Sequence, residues 1–173
     1  MMNYFKENIQ QTDFFKEEND YEKHCDNKNF NHYCISQGAE YLAMSYFSYK
    51  GCEIFAAPES NTIDFVAKIN DKYIGIQVKS ASPRKRDGIY PYELRKRNRS
   101  LIKNKIVSGK WNGYKYKDVQ IFILVANDLK KIYIQKNDEK ILHVRLSSQD
   151  FLNFEKNFDY YFDQIIKRVT SDK

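Results

Sequence analysis

The chain predicts one mixed α/β domain in which helices cover a central β-sheet. Three observations carry that reading. An apolar face at helical spacing lies within residues 36–49, and a run of extended segments follows it. A continuous apolar run at 119–126 then precedes a closing amphipathic stretch. The length of 173 residues suits a single compact domain, since chains divide only well above roughly 250 residues.

Each element has its own warrant. Residues 1–35 are polar and poorly periodic, and read as an arm or a leading helix. Residues 36–173 read as the folded domain. In 36–49, Ala39, Leu42, Ala43, Tyr46 and Phe47 recur at the three-and-four spacing of one buried helix face. Ser36 is placed as the N-cap, and Gly51 lies just past the end. Extended segments are expected at 52–57, 62–69 and 72–80, the last two joined by Asn70-Asp71, a hairpin-turn signal. Pro83 and Pro91 break the pattern, and 92–110 reads as a basic, helical stretch followed by a loop at 111–114. The run 119–126 has the composition of a strand buried on both faces. Further strands are expected at 131–135 and 141–146. A helix from about Ser148 closes the chain, with Phe151, Phe154, Phe158, Tyr161, Phe162, Ile165 and Val169 along one face.

Composition narrows the class of partner. No stretch approaches the roughly 18 apolar residues of a membrane span, and residues 1–20 carry acids and amides where a secretory signal carries an apolar run. A soluble, cytoplasmic protein is expected. Cys25, Cys34 and Cys52 are an odd count without framework spacing, which suits a reducing compartment. Net charge is +6, but residues 80–117 hold twelve Lys/Arg against Asp87 and Glu93 alone. Two acids cannot pair twelve bases locally. A basic region of this kind is the electrostatic footprint of a polyanion site, the bland alternative being a solvated basic loop. Arg84-Lys85-Arg86, then Arg95-Lys96-Arg97, Arg99 and Lys103, have the character of phosphate contacts. Tyr90, Tyr92, Trp111, Tyr114 and Tyr116 interleave with them, and either stack on bases or pack the core.

The strand-turn-strand segment places chemistry on one face. If Asn70-Asp71 is a two-residue turn, Ile69 pairs with Lys72, and the same register sets Asp64 opposite Gln77. Lys79 then lies one diagonal step away. A carboxylate and an amide oxygen are hard ligands that suit Mg²⁺, which takes one or two carboxylates and keeps several waters. A lysine beside them can orient or deprotonate a water and stabilise developing charge. Each residue also has a structural reading. Glu40 could be a first-turn acid favoured by the helix dipole, and Gln77 with Lys79 could be the solvent face of an edge strand.

Gly38-Ala39-Glu40 on a helix, then Gly51, Ile63-Asp64 and Ile76-Gln77-Val78-Lys79, resembles the core of PD-(D/E)xK nucleases. The Gln-x-Lys form is similar to the branch holding Mrr-like restriction enzymes and nucleases encoded by some group I introns. The likeness covers about 36–82. It implies a restriction-endonuclease-like core and a Mg²⁺-dependent DNA endonuclease, with Mn²⁺ able to substitute. It also implies roles. Asp64 is the central metal ligand, Gln77 a second through its side-chain carbonyl, and Val78 a third through its backbone carbonyl. Lys79 positions the water, and Glu40 reaches the metal directly or through water. Cutting both strands of double-stranded DNA implies a homodimer or larger homo-oligomer. Two departures stand out: Ile63 precedes Asp64 where the family has proline, and Gln77 replaces a carboxylate. The second weakens metal binding and keeps open a catalytically inactive DNA-binding or assembly module. A protein-interaction domain meeting an acidic partner is a further alternative. Glu59 is another carboxylate near Pro58 with no assigned place. His24, Cys25, His32 and Cys34 fall close together, but their spacing fits no zinc-finger pattern.

Overall fold

The computed structural model describes residues 28–58, 62–102 and 105–171. Ile35–Lys173 form one compact unit. Of Met1–Cys34 only the first turns of a helix are described.

Helix α1 (Lys28–Tyr49) leads into β1 (Glu53–Ala56), β2 (Phe65–Ile69) and β3 (Lys72–Ala81). Next come β4 (Tyr90–Glu93), β5 (Arg95–Ile102) and β6 (Lys105–Gly113). Strands β7 (Ile121–Ala126), β8 (Lys131–Lys136) and β9 (His143–Leu146) precede helices α2 (Ser148–Lys156) and α3 (Phe158–Ser171). A five-stranded sheet has the order β1-β2-β3-β7-β8. It is mixed, because β3 and β7 run parallel while the other neighbours run antiparallel. The expected fold class holds: a mixed α/β domain with a central sheet flanked by helices.

The turn between β2 and β3 fixes the register. Asn70 and Asp71 both have positive φ, 49° and 61°, as the hairpin turn matched to strand twist requires. Ile69 pairs with Lys72 and Phe65 with Ile76, the alignment the sequence predicts.

Burial on both faces of β7 follows from its apolar run. Ile121, Ile123 and Val125 join one core cluster with Ala39, Ala43 and Phe47 of α1 and Phe162, Ile166 and Val169 of α3. Phe47 anchors this layer edge-on to Phe65 and Phe162. Phe122, Leu124 and Ala126 point the other way, into a cluster with Tyr90, Tyr92, Tyr114, Leu146 and Phe151. Helix α2 contributes to both clusters through Phe154 and Phe151. Gly75 of β3 marks a close approach on the second face: a Cβ there would lie 2.3 Å from the Asp118 carbonyl oxygen. Gly75→Ala is expected to lower stability by about 1–3 kcal/mol, read from the midpoint of urea unfolding.

Four expectations are corrected. Helix α1 begins at Lys28, so Ser36 lies within it and is not an N-cap. The residues before Ser36 mix Lys28, Asn29, Asn31 and His32 with Phe30, Tyr33 and Ile35, so the first turns carry only a weak periodic signal. The basic stretch 92–110 is not helical. It supplies part of β4 and the antiparallel hairpin β5–β6, which has a register shift between Arg97 and Arg99. Ile106, Val107, Ser108 and Gly109 are poor helix formers, and the stretch lacks a helix-spaced apolar face. Pro91 is accommodated in β4 of the two-stranded β4–β9 sheet, where a missing N–H can be tolerated. The closing helix is two helices. Ser147 caps α2 through a reciprocal pair of bonds with Asp150, and Asn157 breaks the chain between α2 and α3. The stripe therefore shifts: Ile166 is buried, while Tyr161 is 39% exposed.

Candidate functional site

Strand β2 is shorter than the sequence predicts, and the difference builds the site. The β2–β3 ladder stops at Phe65–Ile76. Gln77 to Ala81 continue in β3, paired only with β7. Asp64 therefore does not sit in the ladder opposite Gln77. Its N–H donates to the Ile76 carbonyl at 2.9 Å, and its own carbonyl accepts from the Ala57 N–H at 3.1 Å. With its backbone held at both ends, the Asp64 side chain reaches over β3 where β2 has ended. Oδ2 accepts the Val78 N–H at 2.6 Å and the Gln77 side-chain amide at 2.5 Å. The carboxylate thus satisfies a strand N–H that β2 no longer reaches.

A cavity of about 300 Å³ opens at this point, lined by Ser36, Ala39, Glu40, Asp64, Gln77, Val78, Lys79 and Ser80. Glu40 enters it from α1, beside the buried Ala39. Gln77 is 8% exposed, one of two buried polar residues among those described. Burial pushes the Asp64 carboxyl above its ordinary value, while the Val78 N–H and the Lys79 ammonium pull it back. All five residues expected at the site line this cavity. Both donors to Asp64 fall on Oδ2, so Oδ1 has no hydrogen-bond partner among the described residues.

Lys79 is held from the opposite side. Its ammonium donates to the Tyr114 hydroxyl at 2.8 Å and stands 5.0 Å from the Tyr114 ring centre. Lys96 approaches the same ring at 5.9 Å and donates to Thr62 Oγ1 at 3.1 Å. Lys96, expected on the phosphate-contacting surface, therefore reaches the rim of the site. The link from Lys79 to Tyr114 spans 35 residues, and no local spacing announces it. The sequence marks Tyr114 only as a stacking or packing aromatic.

The other basic residues are placed less centrally. Arg84, Lys85 and Arg86 are exposed between β3 and β4, and Arg84 lies 4.0 Å from Asp87. Arg95 pairs with Glu93 at 2.7 Å. Arg97 and Arg99 lie on β5, in register with Trp111 and Ser108. Lys103, Glu59, His24 and Cys25 lie outside the described residues. His32 and Cys34 are in α1, and no group of three His, Cys, Asp or Glu residues suited to a metal occurs among the described residues.

The architecture has a counterpart among solved proteins. It resembles the fold of a bacterial homing endonuclease, I-Ssp6803I. The TM-score is 0.57 at 17% identity, over 68% of this chain and 78% of that one. No protein-family model matches the chain, and no curated protein matches it by sequence. Among the described residues no helix is long and apolar enough to cross a membrane.

The lining residues would supply only hard oxygens: carboxylates from Asp64 and Glu40, the Val78 carbonyl, and the Gln77 amide oxygen once that amide, whose nitrogen faces Asp64, turns over. That set fits Mg²⁺ or Mn²⁺ and disfavours softer ions, which prefer sulfur or imidazole. The set sits where β3 outruns β2: Gln77 and Val78 lie on β3, Glu40 on α1, and Asp64 just before β2, pinned by its backbone bonds. Positions on rigid elements hold ligand geometry more tightly.

Proposed function

We propose that the chain is a metal-dependent DNA endonuclease of the PD-(D/E)xK type, in its Gln-x-Lys branch, acting in the cytoplasm. One observation carries the reading: a single cavity gathers Glu40, Asp64, Gln77, Val78 and Lys79. The likeness to a homing endonuclease fold supports it, as does the basic segment 80–117. A homing or restriction role fits equally.

Asp64, Gln77, Val78 and Glu40 would hold Mg²⁺. When bound, the ion would acidify a coordinated water and offset charge on the scissile phosphate. The chain's own residues supply the rest. Asp64 is fixed by its two backbone bonds and by the Val78 N–H, so its carboxylate is held at the cavity wall and needs little reorganisation to take a ligand. Gln77 can turn its amide so that Oε1 faces inward once Asp64 no longer needs its N–H. Lys79 offers an ammonium that orients the attacking water and meets negative charge building on the phosphate. Arg84, Lys85, Arg86, Arg95, Lys96, Arg97, Arg99 and Lys103 bind the backbone of double-stranded DNA. A homodimer or larger homo-oligomer brings two such sites to the two strands.

A second reading is a DNA-binding module without activity. It is favoured by Gln77 standing where a carboxylate is expected, which leaves Asp64 and Glu40 as the carboxylates lining the cavity. Calorimetric titration with Mn²⁺ separates the two. Binding by the native protein, lost in Asp64→Ala, supports the enzyme; no binding supports the module. DNA affinity is expected to fall steeply with salt, with log K linear in log salt concentration. A flat dependence would count against both.

A further inference from the structure

The Lys79 ammonium and the Asp64 carboxylate line the same cavity, and the lysine is close enough to influence the acid. Opposite charges in a partly buried site attract strongly, yet the two form no ion pair. The ammonium is bonded to Tyr114. We infer that Tyr114 is a positioning residue: its hydroxyl draws the Lys79 ammonium away from Asp64 and keeps that carboxylate open to a divalent cation. The inference rests on the metal-nuclease reading for its purpose, but on geometry alone for the contact.

Tyr114 is built to hold its place. It is buried, and its ring packs edge-on against Phe122 at 5.3 Å. Its backbone carbonyl accepts from Asn137 Nδ2 at 3.2 Å, and the same amide nitrogen donates to the Val119 carbonyl at 2.7 Å. Asn137 is itself buried, and its N–H donates to the Gln120 carbonyl. The phenol is thus pinned by one aromatic and one buried amide on a neighbouring strand end. Its hydroxyl gives Lys79 a charge-assisted hydrogen bond, with the ammonium beyond the ring edge, 5.0 Å from the ring centre. That bond favours the extended ammonium over collapse onto Asp64. A bound cation then competes with no internal counter-charge for the acid.

Tyr114→Phe removes the hydroxyl and keeps the ring that packs on Phe122. Lys79 is expected to turn to Asp64, and Mn²⁺ affinity to fall about tenfold. Lys79→Met should raise Mn²⁺ affinity more in the Tyr114→Phe background than in the native one, because only there is an ion pair to remove. In the native protein, an NMR cross-relaxation peak should join the Lys79 ε-methylene to the Tyr114 ring and weaken in Tyr114→Phe. Near-ultraviolet circular dichroism confirms that the variants fold. Equal effects of Lys79→Met in the two backgrounds would overturn the inference, as would an unchanged cross peak. If the native protein takes up no Mn²⁺, the metal-nuclease reading fails, and the cross peak alone decides where Tyr114 holds the lysine.

Discussion

Asp64→Asn is expected to abolish metal-supported DNA cleavage, by at least about 10³-fold, while raising the melting temperature at neutral pH. The two effects have one cause. Asp64 is held partly buried by backbone bonds to Ile76 and Ala57, and takes only amide N–H donors. Burial lifts its carboxyl above the ordinary value, so the folded chain binds that proton more tightly than the unfolded chain does. Stability from such a group is fully present below the ordinary carboxylate range and is lost as pH rises through the raised folded value. At neutral pH the ionised acid therefore costs the fold something. Asparagine is the same shape, its oxygen keeps the Val78 N–H, and it carries no charge to desolvate. The gain in melting temperature should shrink as pH is lowered toward the ordinary carboxylate range, which scanning calorimetry at several pH values would follow. A variant that melts lower at pH 7 would mean that Asp64 is a structural anchor first.

Lys79→Met should lower the cleavage rate by about 10²–10⁴-fold and leave DNA affinity nearly unchanged. The lysine lines the cavity beside Tyr114, so methionine keeps most of the side chain's length without the charge. The salt dependence of DNA binding should therefore lose at most about one counterion. Single-turnover cleavage beside a binding titration separates the effects. Loss of affinity equal to the loss of rate would recast Lys79 as a phosphate contact like Arg84.

These two residues also show how much the sequence discloses. The alternation across 62–80 and the Asn70-Asp71 turn set the register, and Phe65–Ile76 pairing follows it. What alternation could not disclose is that β2 starts at Phe65. Backbone bonds to Ile76 and Ala57, the latter before β2, lift Asp64 out of the ladder. The carboxylate consequently meets Val78 N–H, a contact that strand pairing alone does not give. The two-faced β7 was legible because a run without polar residues leaves no face for water. The basic stretch misled because charge says nothing about period: Arg95 to Ile102 and Lys105 to Gly113 form a hairpin. Its β-branched and glycine residues were the better guide. Tyr114 was legible only as an aromatic, since its meeting with Lys79 and Asn137 depends on how β3, β6 and β8 come together in three dimensions.

The central question is whether the site lined by α1 and β3 cuts DNA. Incubating supercoiled plasmid with the native protein and Mg²⁺ or Mn²⁺, beside Asp64→Ala and Lys79→Ala, tests this most directly. Nicked or linear product that requires the metal and disappears in both variants is the predicted result. Equal cleavage by all three proteins would contradict the assignment of the site.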